Sequence, residues 1–208
     1  MEFLRIFDID NILLFSRPEH GLSLHGAINH TTLVGDRSGN LYVRRTARKD
    51  IAPLLESVNG EYQTIGLLDK GGSWRIRSIP EQVEFIERCQ ESKLQVVAPV
   101  CSDRTTMYLP FVFGELYQTS ISTQPESMAE VIRNYLKSIS QANSIGFIYG
   151  DRWGPNTIVD RDKRLWHIDF DIELCGSPAR EFEIAQALYY SLYFAKDKES
   201  AVIECANF

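Results

Sequence analysis

Between residues 125 and 144, Met128, Val131, Ile132, Tyr135, Leu136 and Ile139 follow one another in alternating steps of three and one. On a 3.6-residue period those positions form one stripe, so the spacing predicts an amphipathic helix with that stripe buried. Residues 80–93 repeat the pattern less densely. Val83, Ile86 and Cys89 recur every third position, Glu84, Glu87, Arg88 and Glu91 supply the polar face, and Pro80 suits a first turn. A third helix is expected over residues 181–195.

Elsewhere the period shortens. Residues 31–34 and 41–44 are β-prone runs around Gly35, Asp36, Ser38, Gly39 and Asn40, which predicts an antiparallel hairpin. Residues 96–100 and 107–113 read as a second hairpin turning at Ser102, Asp103 and Arg104. Residues 157–159 and 165–168 read as a third, with a charged turn at Asp160, Arg161, Asp162 and Lys163. The interleaved Asp160 and Asp162 make the Arg161, Lys163 and Arg164 run a solvated turn, not an anion site. Residues 46–78 carry the weakest pattern, with a helix suggested near residues 51–58 and a turn at Lys70, Gly71, Gly72 and Ser73.

The chain of 208 residues, 44% hydrophobic and 24% charged, has the composition of one large domain or two small lobes on a shared core. A formal charge of −6 argues against broad electrostatic capture of nucleic acid or anionic lipid, so any anion site must be local. Cys89, Cys101, Cys175 and Cys205 form no CxxC pair and are expected as reduced, partly buried thiols. Glu2, Arg5, Asp8 and Asp10 interrupt the apolar start, which has neither a signal-peptide core nor a membrane span. A cytoplasmic protein is expected.

The candidate chemistry concentrates in Tyr149-Gly150-Asp151-Arg152-Trp153-Gly154-Pro155-Asn156 and, one hairpin later, His167-Ile168-Asp169-Phe170-Asp171. Phosphoryl transfer needs a carboxylate beside the attacking hydroxyl, oxygen ligands for Mg²⁺ and a cation on the phosphates. Asp151 meets the first need, and Asn156 with Asp169 meets the second. An Asx-rich turn before a strand would also use Asp151 and Asn156, and Asp171 reads as a strand-end carboxylate facing water.

These motifs resemble those of kinase-like phosphotransferases of the aminoglycoside, choline and ketosamine kinase branch, whose loop reads roughly HGDxxxxN before an ID segment. The similarity continues upstream, where Gly26 to Thr31 resembles the phosphate-covering turn with Gly26 and Asn29 at its key positions. The strand Leu41-Tyr42-Val43-Arg44-Arg45 resembles the one that contacts phosphate. Residues 107–115 look like the hinge that holds adenine, and Glu183 falls at the acid of the family's P-x-x-D-L-A segment, with a structural role.

The resemblance implies an α+β, two-lobed protein-kinase-like fold. Residues 1–113 would form an N-lobe of antiparallel sheet plus helix, and residues 114–208 a reduced, mainly helical C-lobe. It implies ATP and Mg²⁺ as cofactors and a small hydroxyl-bearing acceptor. Asp151 would be the catalytic carboxylate, Asn156 and Asp169 the metal ligands, and Arg44 the phosphate cation held by Glu84, with Arg45, Glu81 and Glu87 as alternatives. Tyr117, Trp153 and Tyr189 are candidates for the acceptor pocket, whose other side a second copy or a protein partner would complete.

Tyr149 stands where the family usually has His, and Arg where it usually has Lys, a change from a compact point charge to a planar fork. A nucleotide-binding pseudokinase or scaffold is the alternative they raise. Asp8 and Asp10 resemble the nucleophile strand of haloacid-dehalogenase-like phosphatases, but that fold needs a parallel βα framework where antiparallel hairpins are expected.

Overall fold

The computed structural model describes residues 12–13, 23–24 and 28–208. Gly26, Asp8, Asp10 and His25 lie outside them. Among the described residues the chain is α+β, with antiparallel sheets and six α-helices.

The expected first hairpin is present and longer than its β-prone core. β1 (Ile12–Leu13) and β2 (Ser23–Leu24) pair with β3 (Asn29–Asp36), which pairs with β4 (Leu41–Ala47). Asp36 accepts from the Ser38 and Asn40 backbone N–H groups at 2.9 Å each, the local bonding that makes Asp a turn residue. α1 (Ala52–Thr64) fills the least legible segment, running past the expected residue 58. β5 (Ser73–Ile76) follows, starting where a turn was expected to continue.

α2 (Ile79–Glu91) has a capping box. Glu81 Oε2 accepts from the Ser78 backbone N–H at 2.7 Å and from its hydroxyl at 2.8 Å. Those bonds, with the Arg75 guanidinium, hold the Glu81 carboxyl down at about 2.

The second hairpin is shorter than expected, being β6 (Cys101–Ser102) against β7 (Thr106–Pro110), which completes the six-stranded sheet beside β4. Residues 96–99 do not join it, whereas the Val100 N–H donates to the Tyr108 carbonyl at 2.8 Å. Val96 forms an isolated parallel bridge with His167, and the Val97 N–H donates to the His167 carbonyl at 3.2 Å. Pro99 has no N–H to contribute to a ladder.

β8 (Gly114–Leu116), α3 (Tyr117–Thr123) and α4 (Pro125–Ser144) follow. All six residues of the α4 stripe are buried, at no more than 1% exposure, each stabilising the fold by about 1.5–3 kcal/mol. They centre a core that takes Ile86 and Cys89 from α2 and Tyr117 and Ile121 from α3.

The third hairpin is β9 (Thr157–Asp160) with β10 (Leu165–His167), and β8 adds to its free edge. β11 (Ile172–Cys175) pairs with β5, tying residue 76 to residue 172. The chain ends with α5 (Ala179–Phe194) and α6 (Lys198–Ala206). All four cysteines are free thiols, Cys89 buried and the others partly so. No helix among the described residues is long and apolar enough to cross a membrane.

Candidate active site

The loop from α4 to β9 carries Asp151 and is held by groups remote in sequence. Gly150 has φ +104°, and a Cβ there would lie 2.0 Å from the Ile172 carbonyl oxygen, so only glycine fits. The Gly150 N–H donates to Glu183 Oε1 at 2.9 Å, while Asn143 Nδ2 donates to Glu183 Oε2 at 2.6 Å. Glu183 is fully buried on α5, and burial raises its carboxyl to about 7 despite those bonds. Its structural reading from sequence acquires a specific content, since it anchors the loop backbone.

Arg152 is buried to zero exposure and staples the loop to the far side of the hairpin. Its guanidinium donates to the Asp169 carbonyl at 2.8 Å and, with longer bonds of 3.4 Å, to the Asn156 and Ile168 carbonyls. It lies 5.5 Å from the Tyr149 ring centroid and 5.4 Å from that of Phe170. Tyr149 is a core residue packed against His167, with ring centroids 4.5 Å apart and planes tilted by 33°. His167 bonds Ser138 at 2.8 Å and Thr157 at 3.2 Å, and burial holds its imidazole neutral.

The hairpin register then brings the candidate metal ligands to one end. Thr157 pairs with His167, and one step further the Ile168 N–H donates to the Asn156 carbonyl at 3.0 Å. Asn156 Nδ2 donates to the Asp151 carbonyl at 3.0 Å, which leaves its amide oxygen free of that bond. Asp169 takes φ +64°, a conformation costing a non-glycine residue about 1–3 kcal/mol and typical of functional sites.

Facing them from the sheet is Arg45. Its guanidinium bonds Asp169 at 2.6 Å and Asp171 at 3.3 Å, with its own side chain only 5% exposed. Arg44, the expected cation, lies on the other face of β4, because successive strand residues point to opposite sides. Glu84 is exposed on α2 and forms no ion pair with either arginine among the described residues. Glu81 is engaged by Arg75 at 2.6 Å. Asn29 is buried at 2% exposure and donates to Asp171 Oδ2 at 3.1 Å, so it supports a carboxyl group.

Asp171 is the clearest departure from expectation, being 7% exposed instead of facing water. Burial and the adjacent Asp169 charge raise its carboxyl well above the usual range. Burial also works to raise Asp169, but the Arg45 charge and hydrogen bonds from Arg45 and Asp171 outweigh it and hold that group low. The two carboxyl groups on one guanidinium are thus shifted in opposite directions.

Asp151 sits beside α5, where Gln186 Nε2 donates to its Oδ1 at 3.1 Å and Gln186 Oε1 accepts from the Arg152 backbone N–H at 3.2 Å. Burial, with Asp169 and Glu61 adding negative potential, raises the Asp151 carboxyl to about 6 despite the Arg152 charge. A carboxyl with that value is ionised near neutrality and still basic enough to accept a proton.

Of the pocket candidates, Tyr117 is buried and bonded to Ser191 at 2.6 Å, Trp153 is half exposed, and Tyr189 lines a cavity beside Gln186. Arg152 and Gln186 escaped the sequence reading. Gln186 has no local signal, whereas a charged residue inside the motif was the available hint for Arg152.

Asn156 and Asp169 are hard oxygen donors of the type Mg²⁺ takes. Among the described residues no three His, Cys, Asp or Glu side chains gather as a metal site, so waters or phosphate oxygens would complete the shell. No protein-family model matches the chain, and no curated protein matches it in sequence comparison.

Proposed function

We propose that the protein is a two-lobed, protein-kinase-like phosphotransferase that moves the γ-phosphoryl group of ATP to a hydroxyl acceptor. The observation that carries this reading is the meeting, at one hairpin mouth, of Asp151 with its carboxyl near 6, Asn156, and Asp169 held by a buried arginine. Asp151 accepts the proton of the acceptor hydroxyl as its oxygen bonds to the γ-phosphorus. The bond from that phosphorus to the bridging oxygen breaks, and ADP leaves. Asn156 and Asp169 would hold Mg²⁺, which when bound neutralises developing phosphate charge. Arg45, in place of Arg44, supplies the fixed cation beside Asp169. A cytoplasmic setting suits reduced thiols and ATP.

One observation favours a second reading. Arg45 bonds Asp169 directly at 2.6 Å, so a metal ion must share or displace it. A nucleotide-binding protein without turnover would tolerate that arrangement.

Labelled ATP with Mg²⁺ and a panel of alcohols, run beside Asp151→Asn and Asp169→Asn, tests the first reading. Turnover that both substitutions abolish is expected, and turnover that neither affects refutes the assignment. A rise in melting temperature with MgATP and no product selects the second reading.

A further inference from the structure

A cavity of about 480 Å³ opens between the end of α1 and one face of α5, within the size range of small-molecule sites. From α5, Phe182, Ala185, Gln186 and Tyr189 face it, at the spacing of one helical stripe. A stripe open to solvent is ordinarily polar, yet Ala185 is exposed and Tyr189 is 58% exposed. The opposite wall is also apolar, with Leu67 buried and Ile65 48% exposed. Phe182 is fixed from behind by Tyr62, with ring centroids 5.7 Å apart, so this wall is preformed.

The polar content is localised. Gln186 is 8% exposed, lines the cavity, and donates from its amide to Asp151, so one side chain links the groove wall to the Asp151 carboxyl. The charged lining residues, Glu61, Lys70 and Glu181, are all exposed. Exposed charge pairs are screened and contribute little to selection beyond disfavouring an anion where acids outnumber bases. A polyol laid on Leu67, Phe182 and Ala185 loses water hydrogen bonds that these walls do not replace. Flat apolar rings instead find aromatic partners in Phe182 and Tyr189.

We propose that this groove binds an uncharged alcohol with a ring-shaped apolar body, which lies between Ile65, Leu67 and Phe182, Tyr189 and presents its hydroxyl at the Gln186 end. As an acceptor subsite it rests on the phosphotransferase reading above; as a binding site it does not.

The test uses the full chain without nucleotide, titrated calorimetrically and by ligand-observed NMR with 2-phenylethanol, glucosamine and sorbitol. Saturable 2-phenylethanol binding, with the other two at least ~10-fold weaker, is expected. Ala185→Trp fills the groove from an exposed position outside the core and is expected to weaken 2-phenylethanol at least ~10-fold while leaving the melting temperature close to wild type. Preference for glucosamine or sorbitol, no binding of any probe, or unchanged affinity in Ala185→Trp overturns the proposal. If 2-phenylethanol binds as expected while MgATP neither shifts the melting temperature nor yields product, the groove stands and the phosphotransferase reading falls.

Discussion

Replacing Glu183 with Gln should change how the protein's stability depends on pH. The folded carboxyl lies near 7, against 4.5 for an unperturbed Glu, because burial outweighs the bonds from Asn143 and the Gly150 N–H. Between those values the folded state binds more protons than the unfolded state, so wild-type stability falls as pH rises through that window. At 1.36 kcal/mol per unit the ionised group costs about 3 kcal/mol above pH 7. Glu183→Gln removes this contribution, and its amide oxygen can still accept from Gly150 while its NH₂ meets the Asn143 donor, a local loss of about 1 kcal/mol at any pH. The difference between the two proteins, read from urea unfolding at several values from pH 4.5 to 8, should therefore move by about 3 kcal/mol in favour of the variant as pH rises. Comparing variant with wild type cancels the contributions of Asp151 and Asp171. Curves that stay parallel refute the reasoning, because hydrogen bonding would then outweigh burial and keep Glu183 ionised throughout.

Arg45→Ala should lower stability by about 3 kcal/mol, the low end for breaking a buried ion pair because Asp169 keeps 25% of its side chain exposed; Arg44→Ala should stay within about 0.5 kcal/mol in the same urea assay. Gly150→Ala combines a left-handed backbone with the contact at the Ile172 carbonyl and should cost about 2–4 kcal/mol, read as a lowered denaturation midpoint. If Asp151 accepts the acceptor proton, kcat falls as pH drops below about 6, where that carboxyl protonates, and the pH–rate profile reads this directly.

Local patterns were legible because their physics is local. The α4 stripe depends on residues three and four apart, and the β9–β10 hairpin on a short turn, so helix, hairpin and the meeting of Asn156 with Asp169 followed from spacing. The segment at residues 96–99 misled for the opposite reason, while Val100 does bond to β7. Its β-prone residues are real, but Pro99 and the pull of His167 decide where they bond. β11 and α3 carried no distinctive period, and β11 exists through its partner, β5, about 100 residues earlier.

Sequence by itself determined that this chain would be α+β, that α4 would bury one face, and that Asp151, Asn156 and Asp169 would stand around one hairpin. Tertiary structure alone decided which arginine meets Asp169, since a one-residue change of register turns a strand side chain to the other face of the sheet. It also made Asp171 a buried carboxyl group on Arg45, Glu183 the anchor of the loop, and Gln186 the link between Asp151 and a groove. Each is a contact between residues dozens to more than a hundred positions apart, and such contacts arise from packing that no local spacing encodes.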